Sequence, residues 1–263
     1  MDLGIRGKVA LVSAASKGLG RAIAEEFAAE GASVVMCARG KEALDVAVNA
    51  IGKATGADVI GVAADVSKPE DVTRVVLAAL HRFSRIDILV TNSGGPPSGM
   101  FESLTPEMWD DAVRLLLMST VNLCREVVPG MRERKWGRII NVTSISVKQP
   151  VEGLMLSNSL RAGVTGFAKT LSNEVARDGI TVNCILPGHT RTQRAIDLTT
   201  ANAARQGISF EEAVKRRHAE IPMGRMGEPR EFAALAAFLA SERASYITGT
   251  SIQVDGGWIK GLL

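Results

Sequence analysis

The sequence is poor in the residue types that build metal, disulfide and membrane sites. Three cysteines and three histidines occur in 263 residues, and neither set has the spacing of a zinc site or a disulfide framework. The longest apolar run, 232–240, is too short to span a bilayer, and no long apolar segment lies near the N-terminus. We therefore expect no metal, no membrane association, no signal peptide and a cytoplasmic protein with buried thiols. The cysteines are Cys37, Cys124 and Cys184.

Strong charge and aromatic content are missing as well. The net charge is only +3, and aromatic residues make up 4% of the chain, with Tyr246 as the single tyrosine. Basic clusters at 132–135 and 215–217 have no aromatic residues among them, which is typical of solvated helix faces. We therefore expect no nucleic-acid partner.

What the sequence does contain is a regular alternation of apolar β-branched runs and helical patterns. The runs, such as "KVALVSA" and "ITVNCILPG", are almost continuously apolar, as strands buried on both faces are. This alternation predicts an α/β fold with a doubly wound parallel sheet, in one domain spanning 1–263. The polar, helical segment 191–225 interrupts the rhythm, and we predict that it is a substrate lid.

The first predicted strand leads directly into a glycine turn, "SAASKGLG" at 13–20. Glycines at Gly18 and Gly20 would let the backbone approach a pyrophosphate held at the N-terminus of the following helix. A pair of glycines also occurs in ordinary tight turns, but here the turn joins a strand to a helix, as the binding mechanism requires. The context predicts a dinucleotide site on a Rossmann-type sheet.

The end of the second strand indicates which dinucleotide is bound. NAD-binding folds place an acidic residue there to hold the ribose 2′-hydroxyl, whereas this sequence has Ala38 and Arg39. Lys17, in the glycine turn, adds a second cation near the same ribose. Either cation alone could be an exposed loop charge, but the pair favours the 2′-phosphate of NADP(H) over NAD(H).

Several motifs together resemble those of the short-chain dehydrogenase/reductase family, and the likeness runs nearly end to end. Besides the glycine turn they are "ADV" at 64–66, "TNSGG" at 91–95, "PGHTRT" at 187–192 and the segment 221–257. The resemblance implies a homotetramer or dimer, a carbonyl substrate and an extended cofactor site. The implied cofactor-binding residues are Ser13, Ser16, Lys17, Gly18, Leu19, Gly20, Arg39, Asp65, Val66, Asn92, Ser93, Gly94, Arg161, Pro187, Gly188, Thr190 and Thr192.

The catalytic motif departs from the family's pattern. That pattern consists of a Ser, a Tyr-x-x-x-Lys pair and a helix Asn, and the Ser is present as Ser144 in "NVTSIS". The Tyr and Lys positions carry Ser157 and Arg161, and a gapless count places the Asn position at Leu116. We assign Ser144, Ser157 and Arg161 as candidate catalytic residues, because an arginine could hold the nicotinamide ribose or an anionic substrate.

Each departure also has a simpler interpretation. Ser157 could be only the N-cap of its helix, and Leu116 is most simply explained as a core or interface residue. An aliphatic hydroxyl is a far weaker acid than a phenol, so the family's proton donor is missing. His189 and Lys148 are the nearby candidates for a replacement.

The sequence thus favours an NADP(H)-dependent oxidoreductase that interconverts a carbonyl and an alcohol at an unusual site. The main alternative is a non-catalytic NADP(H)-binding protein, acting as a sensor or a structural subunit, because three catalytic identities have changed. Non-redox chemistry on the same fold ranks last, since it leaves the nicotinamide loop at 187–192 unexplained.

Overall fold

The computed structural model describes residues 2–262, and a single parallel sheet organises them. Its seven strands follow the order β3-β2-β1-β4-β5-β6-β7, so the strand order reverses between β1 and β4. Leu11 pairs in register with Leu89 across that junction. The prediction of a doubly wound α/β fold is therefore confirmed. The strands are β1 Val9–Ser13, β2 Ser33–Ala38, β3 Val59–Ala63, β4 Ile88–Thr91, β5 Gly137–Val142, β6 Ile180–Pro187 and β7 Ser251–Val254.

Helices cover both faces of the sheet. One face packs on α1, α2 and α9, with Phe27 and Phe232 fully buried in that layer. The other packs on α3, α5 and α6 around Leu123 and Met131, which are also almost fully buried. All three cysteines are buried, as predicted. The α-helices are α1 Gly18–Ala29, α2 Lys41–Thr55, α3 Pro69–Phe83, α4 Pro106–Ala112, α5 Ser119–Arg134, α6 Met155–Val175, α7 Gln193–Gln206, α8 Phe210–Glu220 and α9 Pro229–Ala240.

The sequence predicts one long helix over about 106–134, but in the structure a π-helical turn at Val113–Met118 separates α4 from α5. Widening the helix there disturbs its regular hydrogen bonding, and two hydroxyls bond to carbonyls of the turn. Ser119 Oγ donates to Leu115 O at 2.6 Å, and Thr120 Oγ1 donates to Leu116 O at 3.2 Å. Such turns are frequent at functional sites.

The helix α6 begins earlier than the capping pattern suggests. Its first residue is Met155 and its N-cap position is Leu154, so the interpretation of Ser157 as an N-cap is wrong. Ser157 instead lies inside the first turn with its side chain buried. Its hydroxyl is therefore directed toward the protein, where it contacts Arg161.

The predicted lid segment folds as two short helices, α7 and α8, each with a side-chain cap. Thr192 accepts from Ala195 N at 3.3 Å, and Ser209 accepts from Glu212 N at 3.1 Å. None of the helices within 2–262 combines the length and the apolarity needed to cross a bilayer.

Candidate active site

The carboxyl ends of the parallel strands meet at one edge of the sheet, and the reversal between β1 and β4 opens a crevice there. Ser13 ends β1 and is fully buried. Its hydroxyl donates to Asn92 O at 2.6 Å and accepts from Asn92 N at 2.8 Å. Because both bonds are internal, Ser13 acts on this edge by fixing Asn92. Asn92 Nδ2 lies 3.4 Å from Ala14 O, which ties β4 to the glycine turn.

The glycine turn has the tight geometry that the motif requires. Gly18 has φ 61, and Ala14, which stands where the family has its first glycine, has φ 49. A Cβ at Gly20 would lie 2.5 Å from Ala14 O and 2.8 Å from Asn92 Nδ2, so no larger residue fits. The turn therefore brings bare backbone to the N-terminus of α1, where a pyrophosphate is favoured. Ser16 and Leu19 lie in the same turn, both partly buried.

Two cations lie free beside this turn. Ala15 N donates to Cys37 O at 3.0 Å, which joins the turn to the end of β2, just before Arg39. Lys17 and Arg39 are both exposed, and neither forms an ion pair within residues 2–262. This arrangement suits a 2′-phosphate, since it leaves both charges unneutralised by the protein.

The loop after β3 holds Asp65 and Val66 in a fixed conformation. Asp65 Oδ1 accepts from Ser67 N at 3.0 Å and from Ser67 Oγ at 2.8 Å, while Asp65 N donates to Asp71 Oδ2. Val66 is buried. After β4, Ser93 is partly buried, and a Cβ at Gly94 would meet no atom within 4 Å, so the edge is open there.

The loop at 187–192 is held from several sides. Gly188 N donates to Val254 O at 3.0 Å, and a Cβ there would lie 2.6 Å from Asp255 Cα. Pro187 ends β6, and Thr190 is buried. Thr192 Cγ2 would lie 3.7 Å from a Cβ at Gly18, which places this loop across the crevice from the glycine turn.

The three candidate catalytic residues come from β5 and α6. Ser144 follows β5, and its Oγ accepts from Ser146 N at 3.1 Å. Arg161 Nε donates to Ser157 Oγ at 3.2 Å, and its Nη1 donates to Val142 O at 3.0 Å. One guanidinium therefore connects the first turn of α6 to the end of β5, two residues before Ser144.

The electrostatics of this group are those of a persistent cation. Burial, with a smaller contribution from Arg194, lowers the pKa of Arg161 to about 10. A group with that pKa remains protonated at neutral pH. Leu116, in the π-helical turn, is 2% exposed, which confirms it as a core residue.

Neither candidate replacement for the proton donor is well placed. The Nδ1 atom of His189 accepts a hydrogen bond from Arg217 Nη1 at 2.8 Å, because a guanidinium can only donate. Burial and the Arg217 charge lower the pKa of His189 to about 4, so its ring is neutral near pH 7. Lys148 is exposed and donates to Gln253 Oε1 at 2.6 Å.

Two arginines of the segment 191–225 contribute contacts that no sequence motif indicated. Arg217 on α8 binds the 187–192 loop through His189. Arg194 on α7 donates to Pro96 O at 3.0 Å and lies against the backbone of Gly95. Their roles depend on how α7 and α8 fold back over the sheet edge, and the only signal in the sequence was the polar character of 191–225.

Comparison with known proteins agrees with the fold. A family model described as enoyl-(acyl carrier protein) reductase matches residues 13–259. The chain is 37% identical over 255 residues to the 3-oxoacyl-acyl-carrier-protein reductase FabG of Vibrio cholerae, covering 97% of this chain and 98% of that protein.

Two solved structures extend the likeness to three dimensions. The L-sorbose reductase of Gluconobacter frateurii, complexed with NADPH and L-sorbose, is 39% identical, with a TM-score of 0.95 and full coverage of both chains. A variant of the actinorhodin polyketide ketoreductase with NADPH is 34% identical with a TM-score of 0.93, covering 97% of this chain and 98% of that one.

Proposed function

This chain belongs to the short-chain dehydrogenase/reductase family and is an NADP(H)-dependent oxidoreductase of that type, and from this premise we propose that it interconverts a carbonyl and an alcohol at a site made by Ser144, Ser157 and Arg161. The observation that carries the proposal is the position of Arg161. It binds both Ser157 and the end of β5, beside a cofactor crevice that retains its geometry.

The residues on the sheet edge fit the cofactor. Gly18 and Gly20 would let the pyrophosphate approach the backbone at the start of α1, because neither residue carries a side chain there. Lys17 and Arg39 would hold the 2′-phosphate, and the 187–192 loop would hold the nicotinamide amide. Bound NADPH supplies the hydride.

Arg161 has two roles in this proposal. Its charge would stabilise negative charge on the substrate oxygen, and its contact with Ser157 orients a hydroxyl donor toward the same region. The Ser144 hydroxyl supplies a further donor at the end of β5. Preorganised donors of this kind commonly account for a large part of an enzyme's rate enhancement.

The proton would come from solvent rather than from a side chain. Ser157 is too weak an acid, His189 is neutral and engaged with Arg217, and Lys148 is bonded to Gln253. Loss of a positioned general acid lowers the rate by about 10²–10⁴. We therefore expect this protein to reduce simple ketones slowly.

The test is NADPH oxidation by the purified protein across a panel of ketones, keto acids and β-ketoacyl thioesters. We expect turnover in the parent and its loss in Ser144→Ala. Activity that is absent from the parent and emerges only in the triple variant Leu116→Asn, Ser157→Tyr, Arg161→Lys would instead support the non-catalytic alternative. An inactive parent with normal NADPH binding would refute the proposal.

We also propose that the protein works in the cytoplasm as a homodimer or homotetramer, with 191–225 as its lid. The three unpaired, buried cysteines fit a reducing compartment. Small exposed residues on α6, including Gly163 and Gly166, and the exposed Met118 fit contact with a second copy. Light scattering would measure the molar mass in solution. A monomer at the concentration used for the activity assay would refute the proposed homodimer or homotetramer.

A further inference from the structure

Few side chains tie α7 and α8 to the rest of the protein. Among the helices and strands, these two pack chiefly on each other. Within residues 2–262, two side chains of α7 and α8 form hydrogen bonds with residues that lie outside 191–225. One of them is Arg217, whose Nη1 donates to His189 Nδ1 at 2.8 Å. Because His189 belongs to the 187–192 loop, this bond links the position of α8 directly to that loop.

The 187–192 loop has its own anchors besides α8. Gly227 N donates to His189 O at 2.9 Å, and Arg191 N donates to Gly227 O at 2.8 Å. The His189 ring lies edge-on to Trp258, with the ring centroids 5.5 Å apart. The backbone bonds and the Trp258 contact therefore place the ring, and its Nδ1 atom is the part that bonds to Arg217.

The bond joins a charged donor to a neutral acceptor. A guanidinium can only donate, so His189 Nδ1 carries the lone pair and the ring proton lies on Nε2. Within residues 2–262 Arg217 has no ion-pair partner and no second hydrogen-bond acceptor, and its Nε is buried without a partner. Burial lowers the pKa of Arg217, and Glu220 offsets this only in part. A displacement of the loop by about 1 Å would break the one bond that Arg217 makes.

We propose that Arg217 is a positioning residue that couples the 187–192 loop to α8 through His189, so that NADP(H) binding and the packing of α7 and α8 over the site stabilise each other. The proposal rests on the proposed roles of 187–192 at the nicotinamide and of 191–225 as a lid, but it does not require turnover. Cofactor contacts would order the loop, and an ordered loop holds the His189 ring where Arg217 can donate to it. The entropy lost on ordering the loop then serves both events, and the coupling is reciprocal.

Hydrogen exchange measured by mass spectrometry, with and without saturating NADPH, tests this coupling. In the parent we expect NADPH to slow exchange both in the glycine turn at 13–20 and in α8. Arg217→Met should keep the slowing at the turn, which lies at the cofactor, and lose it in α8, which is linked to the cofactor loop through His189. Arg217→Lys retains a donor and should restore part of the NADPH-dependent slowing in α8.

The matched control is Arg216→Met on the same helix. It removes the same charge, but the Arg216 side chain pairs with Glu212 in solvent, so α8 should still respond to NADPH. Exchange in α8 of the parent that does not depend on NADPH would overturn the proposal. So would faster exchange in Arg217→Met with the NADPH response intact, which would leave Arg217 a purely structural role. If NADPH fails to slow exchange at the glycine turn as well, the cofactor site is wrong and this proposal falls with it.

A double-mutant cycle on the Kd for NADPH gives a second measurement. Arg217→Met and His189→Leu break the same bond, so each should raise the Kd about fivefold or more. The double variant should bind no more weakly than the weaker single variant, because the bond can be lost only once. His189→Asn retains an acceptor and should lose less affinity than His189→Leu. Losses that add in the double variant would overturn the proposal.

Discussion

The contact between His189 and Arg217 should make the stability of this protein depend on pH in a defined window. His189 Nδ1 accepts from Arg217 Nη1, and the ring lies edge-on to Trp258 with centroids 5.5 Å apart. Protonation of Nδ1 would remove the acceptor and set a second cation beside Arg217. Burial and Arg217 therefore lower the pKa of His189 to about 4, although Asp255 opposes this effect.

The sign and size of the effect follow from linkage. The unfolded chain binds a proton at His189 near pH 6.5, and the native protein only near pH 4. The stabilisation from neutral His189 is complete above about pH 6.5 and is lost as the pH falls through 4. Its full size is about 3 kcal/mol, an upper value because the ring is not wholly buried.

Urea unfolding of the parent and of His189→Asn at pH 7.5 and 4.5, at one protein concentration, measures this contribution. Asparagine can accept from Arg217 through Oδ1 but does not titrate. The other groups titrate alike in both proteins. On going from pH 7.5 to 4.5 we therefore expect the free energy of unfolding of the parent to fall by about 2 kcal/mol more than that of the variant. Equal losses would refute the assignment of a depressed pKa to a buried, neutral His189.

Two further predictions concern the cofactor crevice. Ser13→Ala removes the hydroxyl that binds both Asn92 N and Asn92 O. It should lower the free energy of unfolding, measured with heat or urea, by about 1–3 kcal/mol and raise the KM for NADPH. Ser13→Thr keeps the hydroxyl and should retain both properties. A destabilised Ser13→Ala with an unchanged KM would limit Ser13 to a structural role. Arg39→Asp should weaken NADPH binding about tenfold or more and improve NADH binding, because a carboxylate repels the 2′-phosphate and accepts from the 2′-hydroxyl. Fluorescence titration with both cofactors measures this, and equal losses for NADPH and NADH would contradict it.

The cofactor half of the molecule was predictable because its geometry is mostly backbone geometry. Apolar runs define the strands. Positions 18 and 20 favour glycine, because Gly18 has a positive φ and a Cβ at Gly20 would collide with Ala14 O. Ala14, which stands where the family has its first glycine, adopts the left-handed φ of 49 despite the steric cost.

The catalytic half was predictable only as a set of positions. The interpretation of Ser157 as an N-cap was wrong because serine is a common capping residue, whereas the observed N-cap, Leu154, carries no capping side chain. The π-helical turn at Val113–Met118 was missed because its residues are good helix formers. The contacts of Arg194 and Arg217 depend on where α7 and α8 pack, which is a tertiary property with no local sequence pattern.

The changes at 157 and 161 form one physical unit. Arg161 binds Ser157 Oγ through Nε and Val142 O through Nη1, so its two contacts use two nitrogens of one planar guanidinium. A tyrosine at 157 would replace the hydroxyl that accepts from Arg161 Nε at 3.2 Å by a much larger side chain. A lysine at 161 carries its three donors on one nitrogen, so it would have to make both contacts from a single point. Reversion of one position alone should therefore perturb the site rather than restore the family's chemistry, which is why the reversion test needs the changes together.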